Sequence, residues 1–127
     1  MNLGLPNSLV AKLNDFYVQN DDVTIVSVST SDGFEIHQSS VKKFQQSSDM
    51  VAAIASTFSS LSNSIAKEIV ESPFKAAFIE TGEGNFICVC TQCMQKNMVL
   101  TICADGLMSI GVLRAKAKNL AKEISNL

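Results

Sequence analysis

Four cysteines, one histidine and a group of cationic side chains are the residues with most scope for chemistry. Cys88, Cys90 and Cys93 form a Cys-x-Cys-x-x-Cys run, with Cys103 further along. Thiolates can hold zinc, but structural zinc sites usually need four ligands, commonly in paired Cys-x-x-Cys knuckles. Cys88 and Cys90 lie two apart in a run of strand-forming residues, so they point to one face of a sheet. Phe86 joins them there. That pattern predicts core thiols, since cysteine is among the most buried residue types. A cysteine-based metal or redox site is the weaker alternative, and no metal or cofactor is expected. His37 is the single histidine. A Ser-His-Asp mechanism would place the whole base role on it, and no serine sits in a nucleophile elbow. No catalytic residue is assigned, and the chain reads as a non-enzyme. Gly82-Glu83-Gly84 leads into a strand, whereas a phosphate loop leads from strand into helix. It predicts a hairpin turn. Arg114, Lys118 and Lys122 stand at i, i+4 and i+8 near the end of the chain, with Lys116 close by. Like charges so spaced cost a few tenths of a kcal/mol per pair. They make either a solvated face at a helix's negative end or a docking stripe for an acidic partner. Arg114, the only arginine, falls inside a helix and not on a loop, which argues against an arginine finger.

The elements that must position these residues follow from period and punctuation. Pro6 suits the first turn of a helix. Leu9, Leu13 and Phe16, with Val10 and Tyr17 beside them, carry that helix to about Val18. Val23 to Thr30 alternates as a strand. Ser31-Asp32-Gly33 is a hairpin signal, and Phe34 to Gln38 returns. Ser39 to Gln46 is a polar connection holding Lys42 and Lys43. Ser47 or Ser48 can cap a central helix, with Asp49 at its positive end and Lys67 at the other. Pro73 ends that helix by Glu71 or Ser72. Lys75 to Thr81, Phe86 to Thr91 and Met98 to Cys103 read as strands. A last helix shows Ile110, Leu113, Ala117, Leu120 and Ile124 on one face. Short links between strands predict an antiparallel sheet covered by three helices in an α+β domain spanning residues 1–127.

The central helix is the most distinctive element. From Met50 to Ala66 there is no charged side chain. Val51, Ile54, Phe58, Leu61, Ile65 and Ile69 step by three and four along one face. The opposite side holds Ala52, Ala55, Ser56, Ser59, Ser60, Ser62, Asn63 and Ala66. An ordinary surface helix carries Lys and Glu there. This pattern predicts a helix covered on both sides, with its own core beneath and a second chain above. Val51, Ile54, Phe58, Leu61 and Ile65 are the expected dimer contacts, with Ala55 and Ser62 permitting close approach. Periodicity alone leaves open which arc faces the sheet and which the partner.

Composition excludes several classes. Of 127 residues 17% are charged, below the usual quarter. The net charge of −2 and a single Tyr with no Trp do not suit a nucleic-acid binder. No basic region followed by a long apolar run opens the sequence, and no 18-residue apolar segment occurs. The expectation is a cytoplasmic protein with reduced thiols and no membrane insertion.

The order αββαβββα resembles the Roadblock/LC7 family of profilin-like domains. Ser31-Asp32-Gly33-Phe34 is similar to the family's first hairpin. Ala52-Ala53-Ile54-Ala55, followed by Phe58 and Leu61, resembles its Ala-rich central helix. Gly111-Val112-Leu113-Arg114 resembles the G-x-x-R that opens its last helix. The resemblance implies a five-stranded antiparallel sheet of order 2-1-5-4-3. The first and last helices would lie on one face and the central helix on the other. It also implies a homodimer with antiparallel central helices, in which the strand holding Lys75, Ala77 and Ile79 meets its twin. Family members act as scaffolds and as regulators of small Ras-like GTPases. The implied function is therefore a homodimeric module that binds and regulates such a GTPase. The alternative is a dimerisation scaffold without any GTPase effect.

Overall fold

The computed structural model describes residues 7–41 and 47–127. Pro6, the N-terminal residues before it, and the part of the polar connection that holds Lys42 and Lys43 lie outside the described residues. The elements are α1 (Asn7–Gln19), β1 (Val23–Thr30), β2 (Glu35–Ser40), α2 (Ser48–Ile65) continued by a π-helical turn (Ala66–Val70), β3 (Ala76–Glu80), β4 (Gly84–Cys93), β5 (Lys96–Asp105) and α3 (Ile110–Ser125). All five strands pair antiparallel in the order β2-β1-β5-β4-β3. This is the α+β, profilin-like architecture with β5 at the centre and β2 and β3 at the edges.

Local chemistry sets each turn. At the β1–β2 hairpin Gly33 takes φ 98, and the Thr30 N–H donates to the Phe34 carbonyl at 2.8 Å. Phe34 belongs to this loop and is exposed. β2 therefore starts one residue later than the sequence predicts, and it runs on to Ser40. At the β3–β4 hairpin the Thr81 N–H donates to the Gly84 carbonyl at 2.9 Å, and the Gly84 N–H reaches the Thr81 hydroxyl at 3.0 Å. A Cβ on Gly84 would lie 2.7 Å from the Ala104 carbonyl oxygen, so glycine is required there. Met94 and Gln95 close the β4–β5 hairpin with φ of 51 and 66. Positive φ at both central residues matches the strand twist, at about 1–2 kcal/mol per non-glycine residue. With neither Asn nor Gly at its two central positions, the turn leaves no mark in the sequence, and residues 92–97 read as a loose link. Instead both strands extend to the turn, with Cys93 opposite Lys96.

α1 and α3 cover one face of the sheet. Leu9, Leu13, Leu113, Ala117, Leu120 and Ile124 pack there on Val26, Val28, Ile87, Leu100 and Ile102. The α3 stripe is the one its period predicts, and the Ser109 side chain caps it by accepting from the Val112 N–H at 3.2 Å. α2 covers the other face, where Ala55 meets Cys88 and Val99, with Phe58 and Phe86 alongside. Ser47 stands at the N-cap of α2 without a side-chain capping bond, while Asp49 occupies the first turn. Glu71, at φ 61, ends the helical run before Pro73, and the Ser72 N–H closes the end on the Ala66 carbonyl.

Candidate interaction surface

The two arcs of α2 face opposite ways, and their order is the reverse of an ordinary amphipathic helix. Ala52, Ala55 (1% exposed) and Ser59 are buried against the sheet. Several strand residues on that face are also small: Ser27 stands opposite Thr101, and Ser29 opposite Val99. Ser27, Ser29 and Thr101 are all buried. Small side chains on both layers let helix and sheet approach closely. The Ser56 hydroxyl ties α2 to the first hairpin by donating to the Ser31 carbonyl at 2.7 Å. The small, serine-rich arc thus receives the chain's own sheet, not a second chain.

The large apolar arc points outward. Met50, Ile54 (53%), Leu61 (60%) and Ile65 are exposed along the charge-free stretch, and Ile69 is exposed in the turn that follows it. Contiguous exposed apolar surface of this kind marks an interaction site. Met50 and Ile69 extend the row beyond the expected contacts; their i, i+4 spacing to Ile54 and Ile65 is the signal that reveals them. Among the expected contacts, Val51 and Ala55 are buried within the chain and so are unavailable to a partner. Ser62 is half-buried. Phe58 is half-buried against Phe86, with ring centroids 5.8 Å apart. Ile79 lies opposite Phe86 on β3 and is exposed. Ala77 is half-buried, and Lys75 is exposed just before the strand. Among the described residues β3 pairs with β4 on one side and with no strand on the other, so its outer edge is open there. Open edges are templates for a further strand.

The cysteines do not converge. Cys88 and Phe86 share the α2 face, as the spacing requires. Cys93, an odd number of residues on, is buried in the opposite core. Cys90 is exposed, a departure from the expected core thiol; it lies one residue beyond Val89, the last β4 residue paired with β3. Cys103, opposite Phe86, is half-buried. Among the described residues no three His, Cys, Asp or Glu side chains gather. Burial pushes the Cys88 thiol up to about 11, partly offset by the Thr101 and Ser59 hydroxyls, and raises Cys90 and Cys93 as well. The protonated thiol is the form that fits the fold, so Cys88 costs stability only as pH climbs from its ordinary 9.0 towards about 11. Ellman's reagent at pH 8, followed by peptide mapping, should therefore label Cys90 first in the folded protein, and Cys88 and Cys93 only in denaturant. Equal labelling of all four without denaturant would contradict this burial.

His37 Nε2 lies 3.2 Å from both Asn14 Oδ1 and Ser39 Oγ, which ties β2 to α1. Burial holds its pKa below 6.5 against the pull of Glu35. Of the basic residues on α3, Lys116 donates to Asn20 Oδ1 at 2.6 Å, while Arg114, Lys118 and Lys122 are exposed. Among the described residues no helix is long and apolar enough to cross a membrane.

No protein-family model matches the sequence, and no curated protein matches it. Solved structures do resemble the fold. Myxococcus xanthus MglB shares 17% identity over 94% of each chain, with a TM-score of 0.78. A Roadblock/LC7 domain from Streptomyces avermitilis shares 17% over 91% of this chain and 93% of that one, at 0.77. Acanthamoeba castellanii profilin II shares 15% over 91% and 95%, at 0.59.

Proposed function

We propose that this chain, which has the Roadblock/LC7 fold, is a homodimeric module that binds and regulates a small Ras-like GTPase. The observation that carries the reading is the uncharged, outward-facing row of Ile54, Leu61 and Ile65 beside the open edge of β3. A twofold axis there lets two such rows cover each other, while two β3 strands pair into one sheet. Phe58 and Ile79 lie at the junction of the two contacts. A row of apolar side chains and an unpaired strand edge both lose their contact with water in the same step, which favours one symmetric partner over two unrelated ones.

The GTPase part of the reading rests on the resemblance of the chain to the Roadblock/LC7 family. The sequence holds no phosphate loop, so nucleotide chemistry belongs to the partner. Arg114 sits within α3 and not on a reaching loop. The dimer therefore acts by holding or reshaping the partner's switch loops, whose order responds to contacts around the γ-phosphate. The test is hydrolysis and nucleotide exchange by the small GTPase encoded nearest this chain's gene, with and without stoichiometric dimer. A change of tenfold or more in either rate is expected. Unchanged rates on that GTPase would leave only the scaffold reading.

A further inference from the structure

We propose that the groove between the C-terminal half of α3 and the open end of β4 docks an extended acidic segment of a partner protein. The groove encloses about 600 Å³. Its cationic rim comes from two separate elements: Lys75 precedes β3, and Lys118 and Lys122 belong to α3. Among the described residues the ion pair is Lys12 with Glu123, and none of these three lysines takes part in one. The negative end of α3 accounts for a lysine in its last turn. It does not account for Lys75, which arrives from elsewhere in the chain. Three unpaired positive charges converge in a protein whose net charge is −2, and the complement of such a rim is a row of carboxylates.

The shape of the groove selects an extended peptide. β3 pairs with β4 only as far as Ala76 opposite Val89. Among the described residues no strand therefore pairs with the outer side of the last four residues of β4, Cys90 to Cys93, a length of roughly 13 Å. Sheet edges of this kind accept an added strand. Phe74, Val89 and Ala121 give the groove an apolar floor, and the Thr91 hydroxyl binds the Ala121 carbonyl at 2.8 Å, joining β4 to α3 at its base. Lysines at i and i+4 on a helix lie about 6 Å apart. Alternate residues of a strand lie about 7 Å apart on one face. A segment alternating carboxylate and apolar residues satisfies rim and floor together. The groove suits nucleic acid poorly, since one ring lines it and the single arginine lies outside it. This inference needs neither the dimer nor the GTPase, and it assigns Lys75 to the groove instead of the twofold contact.

The probe is a fluorescein-labelled decapeptide of alternating Glu and Val, titrated with the full chain by fluorescence anisotropy. Saturable binding is expected, weakened tenfold or more in a Lys75→Glu/Lys118→Glu/Lys122→Glu variant and weakened again by added salt. The variant should instead take the matching Lys–Val peptide. A merely structural role for these lysines would not produce that exchange. Sedimentation checks that the variant keeps the wild-type oligomeric state. If it does not, Lys118→Glu/Lys122→Glu alone, with Lys75 in place, should show the same exchange of peptides. Equal binding of the acidic peptide by wild type and variant would overturn the proposal. So would the absence of saturable binding, or tighter binding to phosphatidylserine vesicles or a single-stranded oligonucleotide than to the peptide.

Discussion

Leu61→Asp and Ile54→Asp, made singly, should yield a folded monomer. Both side chains are more than half exposed in the isolated chain, so their loss costs folding little, within about 0.5 kcal/mol. In the proposed twofold interface each is covered, and each occurs twice. Fully burying a side chain of this size contributes about 1.5–3 kcal/mol, so covering the exposed half contributes about 1–2 kcal/mol. Two copies give about 2–4 kcal/mol, which is roughly a 30- to 10³-fold rise in Kd, and the desolvated carboxylate adds to it. Sedimentation reads the oligomer, and circular dichroism reads the fold. Phe58→Asp is the less informative change. Its half-buried ring packs on Phe86, so fold and pairing would suffer together. An intact dimer of Leu61→Asp at micromolar concentration would remove α2 from the interface.

Leu100→Ala should lower stability by about 2–5 kcal/mol, the usual range for emptying a buried leucine site. Leu100 is fully buried on the central strand, opposite Val28 on one neighbour and Val89 on the other. Leu100 shares its core with Leu9 and Leu13 of α1 and Leu113 and Leu120 of α3, so little can collapse into the space. A loss of this size is a large fraction of a typical 5–15 kcal/mol. In urea the midpoint should fall sharply with the slope unchanged. The oligomer should survive below that midpoint, because Leu100 belongs to the core under α1 and α3 and not to the α2 face. A midpoint matching that of the unaltered protein would mean that this core is not packed as described.

Most of the fold was legible along the chain. The period of Leu113, Ala117, Leu120 and Ile124 placed the buried stripe of α3, and Asp32-Gly33 placed the first hairpin. Pro73 marked where the central helix had to stop. These signals are local: side-chain spacing and backbone preference act within a few residues. Met94-Gln95 escaped notice for the same reason, since neither residue prefers the left-handed region that the paired strands impose on them.

Other features depended on partners distant in sequence. From residue order alone α2 was recognisable as a helix without charge, flanked by a large and a small arc. Which arc turned inward was settled by Ser27, Ser29 and Thr101, small side chains that cross-strand register lines up beneath it. A sheet face so low leaves room for Ala and Ser, and it pushes Ile54, Leu61 and Ile65 into solvent. The meeting of Lys75 with Lys118 and Lys122 depends likewise on strand order, as does the opposite burial of Cys88 and Cys93. Composition and period are properties of a segment, whereas the side of a sheet that a segment covers is a property of everything already packed against it.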